Sequence, residues 1–320
     1  MELTTKRLIL RPLTPDELSL WKSDLPALEK SLGVTYDAEP LDTILESVIA
    51  GKEKNVRSDP ENRPFRTLWW IIRKETKNVV GTFEFKAPPE NDRVEIGYEI
   101  GEKYRREGFM TETLFEACRF AFRNGADEII AEAVKTNSAS RGLLKKCGFM
   151  PVSSGETVIL GATPESLHAA ELSLFWKRFL KAANRPENLP VAEDFCFDIN
   201  EKSANDLLAL VLSGKKTATS SALPAYEADG SDLPEVGGLS IVTDFDLRPY
   251  CVIETTKLTR IRFCDMTFDT CRREGEDECL ETWREKHIRF FTEDAGATGY
   301  EFSDDMIVLF EDFRMIYSEA

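Results

Sequence analysis

Residues 104–114, Tyr-Arg-Arg-Glu-Gly-Phe-Met-Thr-Glu-Thr-Leu, constrain the fold of this 320-residue chain more than any other segment. Before them, apolar residues recur with roughly period two over 94–100, which predicts a strand. After them, apolar residues recur at helical spacing up to Asn-Gly at 124–125. Gly108 therefore stands where a helix begins directly after a strand. The free backbone N–H groups and the positive dipole end of such a helix suit it to hold a phosphate.

Two interpretations of this turn are open. In one, Gly108 lets a phosphate approach the bare backbone, and Arg105 and Arg106 add positive charge. In the other, Gly108 only makes a turn and the arginines are solvated. The next segments favour the first interpretation, because residues 129–136 alternate as a strand and residues 137–148 have the N-cap and terminal glycine of a helix.

This order of strand, phosphate turn, helix, strand and a helix opening on Asn-x-x-Ser resembles the GNAT superfamily of acyl-CoA-dependent N-acetyltransferases. The resemblance is to the branch that includes the ribosomal-protein N-terminal acetyltransferases, although Met110 stands where a small residue is more usual. It implies a mixed, mostly antiparallel sheet flanked by helices. The segments that match are an opening strand in 2–13, a hairpin of 69–72 with 79–85, and a last strand at 172–179.

The resemblance implies that a neutral amine attacks the thioester carbonyl of acetyl-CoA directly. Ser140 would protonate the departing sulfur, because Leu144 stands where many superfamily members carry a tyrosine. A backbone N–H within 96–98 would meet the oxyanion. The base would be Glu95, Glu84 or a chain of waters. The residues expected to bind the co-substrate are Ile100, Arg105, Arg106, Gly108, Phe109, Met110 and Asn137.

The second half of the chain carries another ordered set of motifs. An amphipathic helix over 203–213 runs into Gly-Lys-Lys-Thr-Ala-Thr-Ser-Ser, which could bind an anion or only make a polar turn into a strand. Together with the segments downstream it resembles ASCH domains, which are small β-barrels with helices, related to the PUA RNA-binding fold. Those segments are 233–242, 251–256, the acidic run 274–278 and the tryptophan-containing 280–291.

Some ASCH proteins are amidohydrolases that remove the acetyl group from N4-acetylcytidine. The resemblance assigns this chemistry to Lys216, Thr219 and Glu276, with Glu274 as the alternative carboxylate. Thr219 would be the nucleophile, Lys216 would assist removal of its proton, and the carboxylate would shuttle protons. A pocket that binds without hydrolysis is the other interpretation.

Length predicts two domains: an acetyltransferase domain over 1–182, a proline-bracketed linker over 183–190 and an ASCH domain over 191–320. No apolar run approaches the roughly 20 residues of a membrane span, and no secretion signal opens the chain, so we expect a soluble cytoplasmic protein without membrane contacts. Seven cysteines without Cys-x-x-Cys spacing indicate reduced thiols and no metal.

The net charge of −16 argues against tight, sequence-independent binding of nucleic acid. A PUA-like barrel could still bind a nucleoside or a short RNA locally. We therefore expect an acetyl-CoA-dependent N-acetyltransferase that acts on a small-molecule amine or a protein N-terminus, with an ASCH domain that binds or deacetylates a modified nucleoside or RNA. The alternative is an RNA- or nucleotide-binding adaptor whose first domain only senses acyl-CoA. The oligomeric state is left open.

Overall fold

The chain divides into two units, Met1–Glu171 and Leu172–Ala320. The computed structural model describes residues 1–198 and 200–319. The sequence predicts the change of domain at 183–190, whereas the structure divides the chain earlier, inside a helix over Pro164–Ala182.

The first unit contains one mixed sheet and the helices that flank it. Its strands are β1 (Leu3–Thr4), β2 (Leu8–Pro12), β3 (Thr35–Tyr36), β4 (Leu68–Arg73), β5 (Asn78–Phe85), β6 (Arg93–Ile100), β7 (Glu128–Val134), β8 (Met150–Ser154) and β9 (Thr157–Ala162). Its helices are α1 (Pro15–Ser23), α2 (Leu25–Leu32), α3 (Thr43–Ser58), α4 (Arg63–Arg66), α5 (Phe109–Arg123), α6 (Ser138–Lys146) and the start of α7 (Pro164–Ala182).

Within residues 1–171, all of which are described, the strand order is β1-β2-β4-β5-β6-β7-β9-β8, with β3 beside β5. The pairs β3–β5 and β6–β7 are parallel, and the other pairs are antiparallel. A parallel pair needs a crossover connection, and α5 supplies it between β6 and β7. The predicted mixed, mostly antiparallel sheet is confirmed.

The central strand β4 is buried on both faces, as its continuous apolar sequence requires. Successive side chains of a strand point to opposite faces, so Trp69 and Trp70 enter different clusters. Trp69 packs against Phe83 of β5 and Phe120 of α5. Trp70 packs against Trp21 of α1, in a cluster that also contains residues of α2 and α3. The sheet is thus covered by α5 on one face and by α1–α3 on the other.

The second unit is built around one mostly antiparallel sheet with helices packed against it, as expected of an ASCH-like domain. In its described residues, 172–198 and 200–319, five strands follow the order β10-β12-β13-β14-β11. These strands are β10 (Glu193–Phe195), β11 (Ala218–Ala222), β12 (Leu239–Thr243), β13 (Pro249–Arg262) and β14 (Ile307–Ser318). The helices are α8 (Glu201–Leu212), α9 (Leu223–Asp229), α10 (Phe268–Cys271) and α11 (Leu280–Thr298), besides the end of α7.

The strand predicted at 172–179 is wrong, because these residues lie in α7. They contribute Phe175 and Phe179, both fully buried, to an apolar cluster with Ile241 of β12 and Val252 of β13. The second half of α7 therefore belongs to the core of the second unit, which is why the structure divides the chain before the proline-rich linker. No helix among the described residues is long and apolar enough to cross a membrane.

Candidate functional site

The turn at the start of α5 has the geometry that an anion site needs. Gly108 is the N-cap of α5 in the left-handed conformation, with φ of 84°, and Arg106 also has a positive φ of 66°. Phe109 and Met110 are buried, so they offer backbone N–H groups to a ligand rather than side chains. Across the fully described residues 101–123, no side chain caps this helix. Its first N–H groups therefore face outward beside the exposed Arg105 and Arg106.

Arg7 holds this turn against the start of β2. Its Nε lies 2.7 Å from Glu112 Oε2, and its Nη1 donates a hydrogen bond of 3.0 Å to the carbonyl oxygen of Glu107. Its guanidinium also lies over the ring of Phe109, 4.5 Å from the centroid. A Cβ on Gly108 would meet Arg7 Nη2 at 3.4 Å. Sequence reasoning missed Arg7, because about a hundred residues separate it from the turn.

A gap opens between the two parallel strands beside this turn. The strands β6 and β7 pair only over 93–95 and 128–130. Beyond that point β6 continues to Ile100 along β5, and β7 continues to Val134 along β9. The carboxyl ends of parallel strands meet at one edge of a sheet, so the first turns of α5 and α6 lie at the same edge as the gap.

The ladder between β5 and β6 shows which backbone groups face the gap. Lys86 N donates to Glu95 O, and Gly101 N donates to Val80 O, so the odd-numbered residues of β6 bond to β5. Backbone polar groups alternate sides along an antiparallel strand. The N–H groups on the β7 side therefore belong to Ile96, Tyr98 and Ile100. The bridge between Glu95 and Ile130 uses the N–H of Ile96, so the N–H groups of Tyr98 and Ile100 are the ones that face the gap. Residues 96–98 are those expected to meet the oxyanion, and Ile100 is one of the expected co-substrate contacts.

Ser140, the expected proton donor, is hydrogen-bonded to a tyrosine on the other side of the gap. Its Oγ lies 2.9 Å from the hydroxyl oxygen of Tyr98. Burial raises the pKa of Tyr98 to about 12, despite the opposing effect of the Ser140 hydrogen bond. Asn137 is the N-cap of α6 and its Oδ1 accepts from Ser140 N at 3.0 Å, so its side chain fixes the first turn of the helix. Leu144 is fully buried.

The two candidate bases differ in their surroundings. Glu84 is buried and lies 2.8 Å from Nζ of Lys52, and it also forms an ion pair with Lys86. Burial raises the pKa of Glu84, but the charges and hydrogen bonds of the two lysines outweigh burial and lower it below its ordinary value. Glu95 is half-buried at the point where β6 and β7 separate. In the described residues, lysines form ion pairs with Glu84 but not with Glu95.

In the second unit, the structure brings Lys216 and Glu276 together. Lys216 is only 2% exposed, and its Nζ lies 2.5 Å from Glu276 Oε1 and 3.6 Å from Glu274 Oε2. The same Nζ lies 5.1 Å from the ring centroid of Phe197. These are the contacts of an ammonium ion held by carboxylates and an aromatic face.

Glu274 is the centre of a buried network. Its Oε1 accepts hydrogen bonds from Ser220 Oγ at 2.7 Å and from Trp283 Nε1 at 3.0 Å. Its Oε2 lies 3.3 Å from Nε2 of His287, whose ring stacks on Trp283. Burial alone would raise the pKa of Glu274, but the hydrogen bond with His287, the charge of Lys216 and the Ser220 hydroxyl lower it to about 2. Glu274 is therefore an ionised structural carboxylate rather than a free proton carrier.

Thr219 lies on the opposite face of β11 from Ser220. Its direct neighbour across the antiparallel pair is Glu311 of β14, and no hydrogen bond joins its hydroxyl to Lys216 or Glu276 in the described part of the chain. Glu311 accepts a hydrogen bond of 2.5 Å from Thr255. Burial raises the pKa of Glu311, and that hydrogen bond opposes the shift only in part. Sequence reasoning missed Glu311, which is the neighbour of Thr219 across the strand pair. The alternation of side chains along a strand does predict that Thr219 and Ser220 lie on opposite faces of β11.

Two family descriptions match the chain, one in each unit. Residues 7–150 match the acetyltransferase (GNAT) domain, and residues 193–317 match the ASCH domain. The uncharacterized N-acetyltransferase YoaA of Bacillus subtilis (strain 168) is 34% identical over 151 residues, which are 46% of this chain and 81% of YoaA. The FsC-acetyl coenzyme A-N(2)-transacetylase of Aspergillus fumigatus is 32% identical over 85 residues, 26% of this chain and 34% of that protein.

Among solved structures, the ASCH domain from Lactobacillus crispatus JV V101 is 31% identical, with a TM-score of 0.43, and the match covers 46% of this chain and 94% of that one. The match of residues 7–150 and the likeness to YoaA make the first unit an N-acetyltransferase domain, which is joined to a second module. The chain belongs to the GNAT acetyltransferase family through its first unit and carries an ASCH domain in its second.

Proposed function

We propose that the first unit transfers the acetyl group of acetyl-CoA directly to a primary amine, either on a small molecule or at a protein N-terminus. The observation that carries this proposal is the common edge at which β6 and β7 separate and α5 begins with Gly108. A pyrophosphate at the turn places the extended arm of CoA at the gap, where β6 offers unpaired N–H groups. One relative named above, the A. fumigatus transacetylase, carries acetyl coenzyme A in its name.

Each residue of the site then has one task. The backbone N–H groups of Gly108, Phe109 and Met110 bind the pyrophosphate, and Arg105 and Arg106 add charge around it. The N–H groups of Tyr98 and Ile100 on β6 hold the acyl-bearing arm and stabilise the oxyanion. Asn137 keeps α6 in place at the gap, through its cap on the first turn.

Proton transfers complete the reaction. The amine loses a proton to Glu95, directly or through water, because Glu84 is neutralised by Lys52 and Lys86. Nitrogen bonds to the carbonyl carbon, and the C–S bond then breaks with its electron pair on sulfur. Ser140 protonates that sulfur from the first turn of α6.

A thermal melt with and without acetyl-CoA tests the proposal. Ligand at about 100 times its Kd stabilises the native state by roughly 2.7 kcal/mol, or roughly 5–10 °C in Tm for a unit of this size. Gly108→Glu puts a negative side chain where the phosphates would bind and should abolish this shift relative to its own ligand-free Tm. Gly51→Glu adds the same charge to the exposed face of α3, where an added side chain meets nothing within 4 Å, and should keep it. Equal shifts in all three proteins would reject the site.

For the second unit, we propose a site that binds a modified nucleoside or a short RNA and removes an acetyl group from it. The observation that favours a polar ligand is the buried Lys216, whose ammonium lies beside Glu276 and the Phe197 ring. Such a cation can polarise a carbonyl oxygen. The hydroxyl assigned to the attack is that of Thr219 in β11, three residues after Lys216 and directly opposite Glu311.

N4-acetylcytidine is the probe for this second activity. We expect the purified chain to release cytidine and Lys216→Ala to release none. The neighbouring exposed Lys215 provides a matched control, since Lys215→Ala removes the same charge without touching Glu276. Binding without release would limit the unit to recognition. Neither binding nor release would exclude this substrate.

A further inference from the structure

Two hydroxyl groups meet across the gap between β6 and β7. Tyr98 lies on β6, beyond the last paired residues of the two strands, and Ser140 lies in the first turn of α6, which follows β7. The 2.9 Å between their oxygens is a hydrogen bond, and either atom can donate. This contact therefore joins the two elements that border the gap.

The surroundings of Tyr98 favour a neutral phenol. Its side chain is half-buried, and Phe83 lies directly opposite it on β5. The titratable groups whose charges act on Tyr98 are the buried thiols of Cys118 on α5 and Cys147 at the end of α6. Both thiols have pKa values raised by burial, so neither supplies a charge at neutral pH. With its pKa raised to about 12, Tyr98 keeps its proton and can donate it.

We propose that Tyr98 is a positioning residue for acetyl transfer, which orients the Ser140 hydroxyl toward the departing sulfur and replaces the proton that Ser140 gives up. This inference rests on the proposed function of the first unit. When the C–S bond breaks, its electron pair goes to sulfur, and Ser140 gives its proton to that sulfur. Ser140 takes the Tyr98 proton, and the phenolate regains one from water, which receives the proton lost by the amine. The sum is acetyl-CoA plus amine giving amide plus CoA.

The same pair should stabilise the thiolate of bound CoA, and that effect can be measured without knowing the acceptor. The Ser140 hydroxyl, held toward sulfur by Tyr98, lowers the pKa of the bound thiol, so CoA should bind more tightly as pH rises. Desulfo-CoA has no thiol and reports only the binding of the rest of the molecule. At each pH, the Kd for desulfo-CoA divided by the Kd for CoA gives the contribution of the sulfur. Comparing this ratio at pH 6.5 and at pH 9 shows how that contribution changes with pH.

The experiment is calorimetric titration of the full chain with CoA and desulfo-CoA at both pH values. We expect the preference for CoA to rise with pH, by at most about tenfold for each unit by which the pair lowers the pKa of the bound thiol. In Tyr98→Phe this rise should disappear, as in Ser140→Ala, while both variants keep the wild-type Kd for desulfo-CoA at pH 6.5. That unchanged Kd would show that the fold is intact. Tyr36→Phe is the control: it removes a tyrosine hydroxyl that donates to the carbonyl oxygen of Glu39 and not to Ser140. This variant should behave as wild type.

Two results overturn the inference. One is a wild-type preference for CoA that does not change with pH. The other is a rise that survives unchanged in Tyr98→Phe. If neither CoA nor desulfo-CoA binds the wild-type chain, the proposed function itself fails and the inference fails with it.

Discussion

The carboxylate of Glu274 is only 1% exposed and has four polar partners, which are Ser220, Trp283, His287 and Lys216. Glu274→Ala would leave Ser220, Trp283 and His287 without their acceptor in the interior. Breaking a buried ionic network in this way costs about 3–5 kcal/mol. We expect that loss in the free energy of unfolding at pH 7, measured by urea denaturation. The exposed neighbour Glu278 is the control, and Glu278→Ala should stay within about 0.5 kcal/mol of wild type.

The pH dependence of this effect has a definite sign. The pKa of Glu274 is lower in the folded protein, about 2, than in an unfolded chain. Its ionised form therefore stabilises the fold above the unfolded pKa, and this contribution is lost as pH falls toward 2. The difference in stability between wild type and Glu274→Ala should narrow over that range. A difference that is already absent at pH 7 would contradict the assigned network.

At the residue scale, sequence patterns predict single residues of the candidate site but not the pairs within it. Local motifs predict Arg105 and Gly108, because a turn before a helix is encoded within a few residues, and the family resemblance adds Ser140. Tyr98 was missed because its partner Ser140 is 42 positions away. A polar tyrosine between Ile96 and Ile100 on one face of a strand was the available signal.

At the scale of elements, α6 offers a matched pair of glycines. Gly148, just beyond the helix, has φ of 87°, and a Cβ there would lie 2.2 Å from the Ser166 carbonyl oxygen. Gly142, inside the helix, has nothing within 4 Å of an added Cβ. We expect Gly148→Ala to destabilise by at least about 1–3 kcal/mol, the usual cost of left-handed backbone in other residues. Gly142→Ala should stabilise by about 0.5–1 kcal/mol.

Thermal unfolding of the two variants in parallel decides this point. Their Tm values should move in opposite directions from wild type. If both move the same way, the conformation given to Gly148 is not the one the chain adopts.

The misassigned segment 172–179 shows what a short window cannot resolve. The family resemblance assigns these eight residues to a last strand, and the Phe and Trp among them are residues enriched in strands. Over the whole of α7, the buried positions are Leu172, Phe175, Trp176, Phe179 and Leu180, which is the spacing of one helix face. A helical period of 3.6 residues becomes visible only over several turns, and the segment 172–179 covers only about two turns of α7.

At the scale of the whole molecule, the start of the second unit can be tested with fragments. Fragment 191–320 lacks Phe175, Trp176 and Phe179, which fill the cluster with Ile241 and Val252. Removing one buried aromatic side chain usually costs 3–5 kcal/mol, roughly. We therefore expect 164–320 to unfold cooperatively in calorimetry and 191–320 to lose most of its stability.

A third fragment separates the helix from the linker. Fragment 183–320 restores the proline-rich linker but not α7, and should be nearly as unstable as 191–320. If 191–320 is as stable as 164–320, the sequence-based boundary is the better one and the helix is dispensable to the second unit.

Where β6 and β7 separate, each strand has unpaired backbone groups, although both strands lie in the interior of the sheet. Outer edges invite pairing with strands of other chains and are a common origin of aggregation. Here β7 occupies the far side of the gap, so a foreign strand must displace it, whereas a slender extended molecule with its own amide groups can enter. Under the proposed function, the N–H groups of Tyr98 and Ile100 would select ligands by their thickness as well as by their hydrogen bonds.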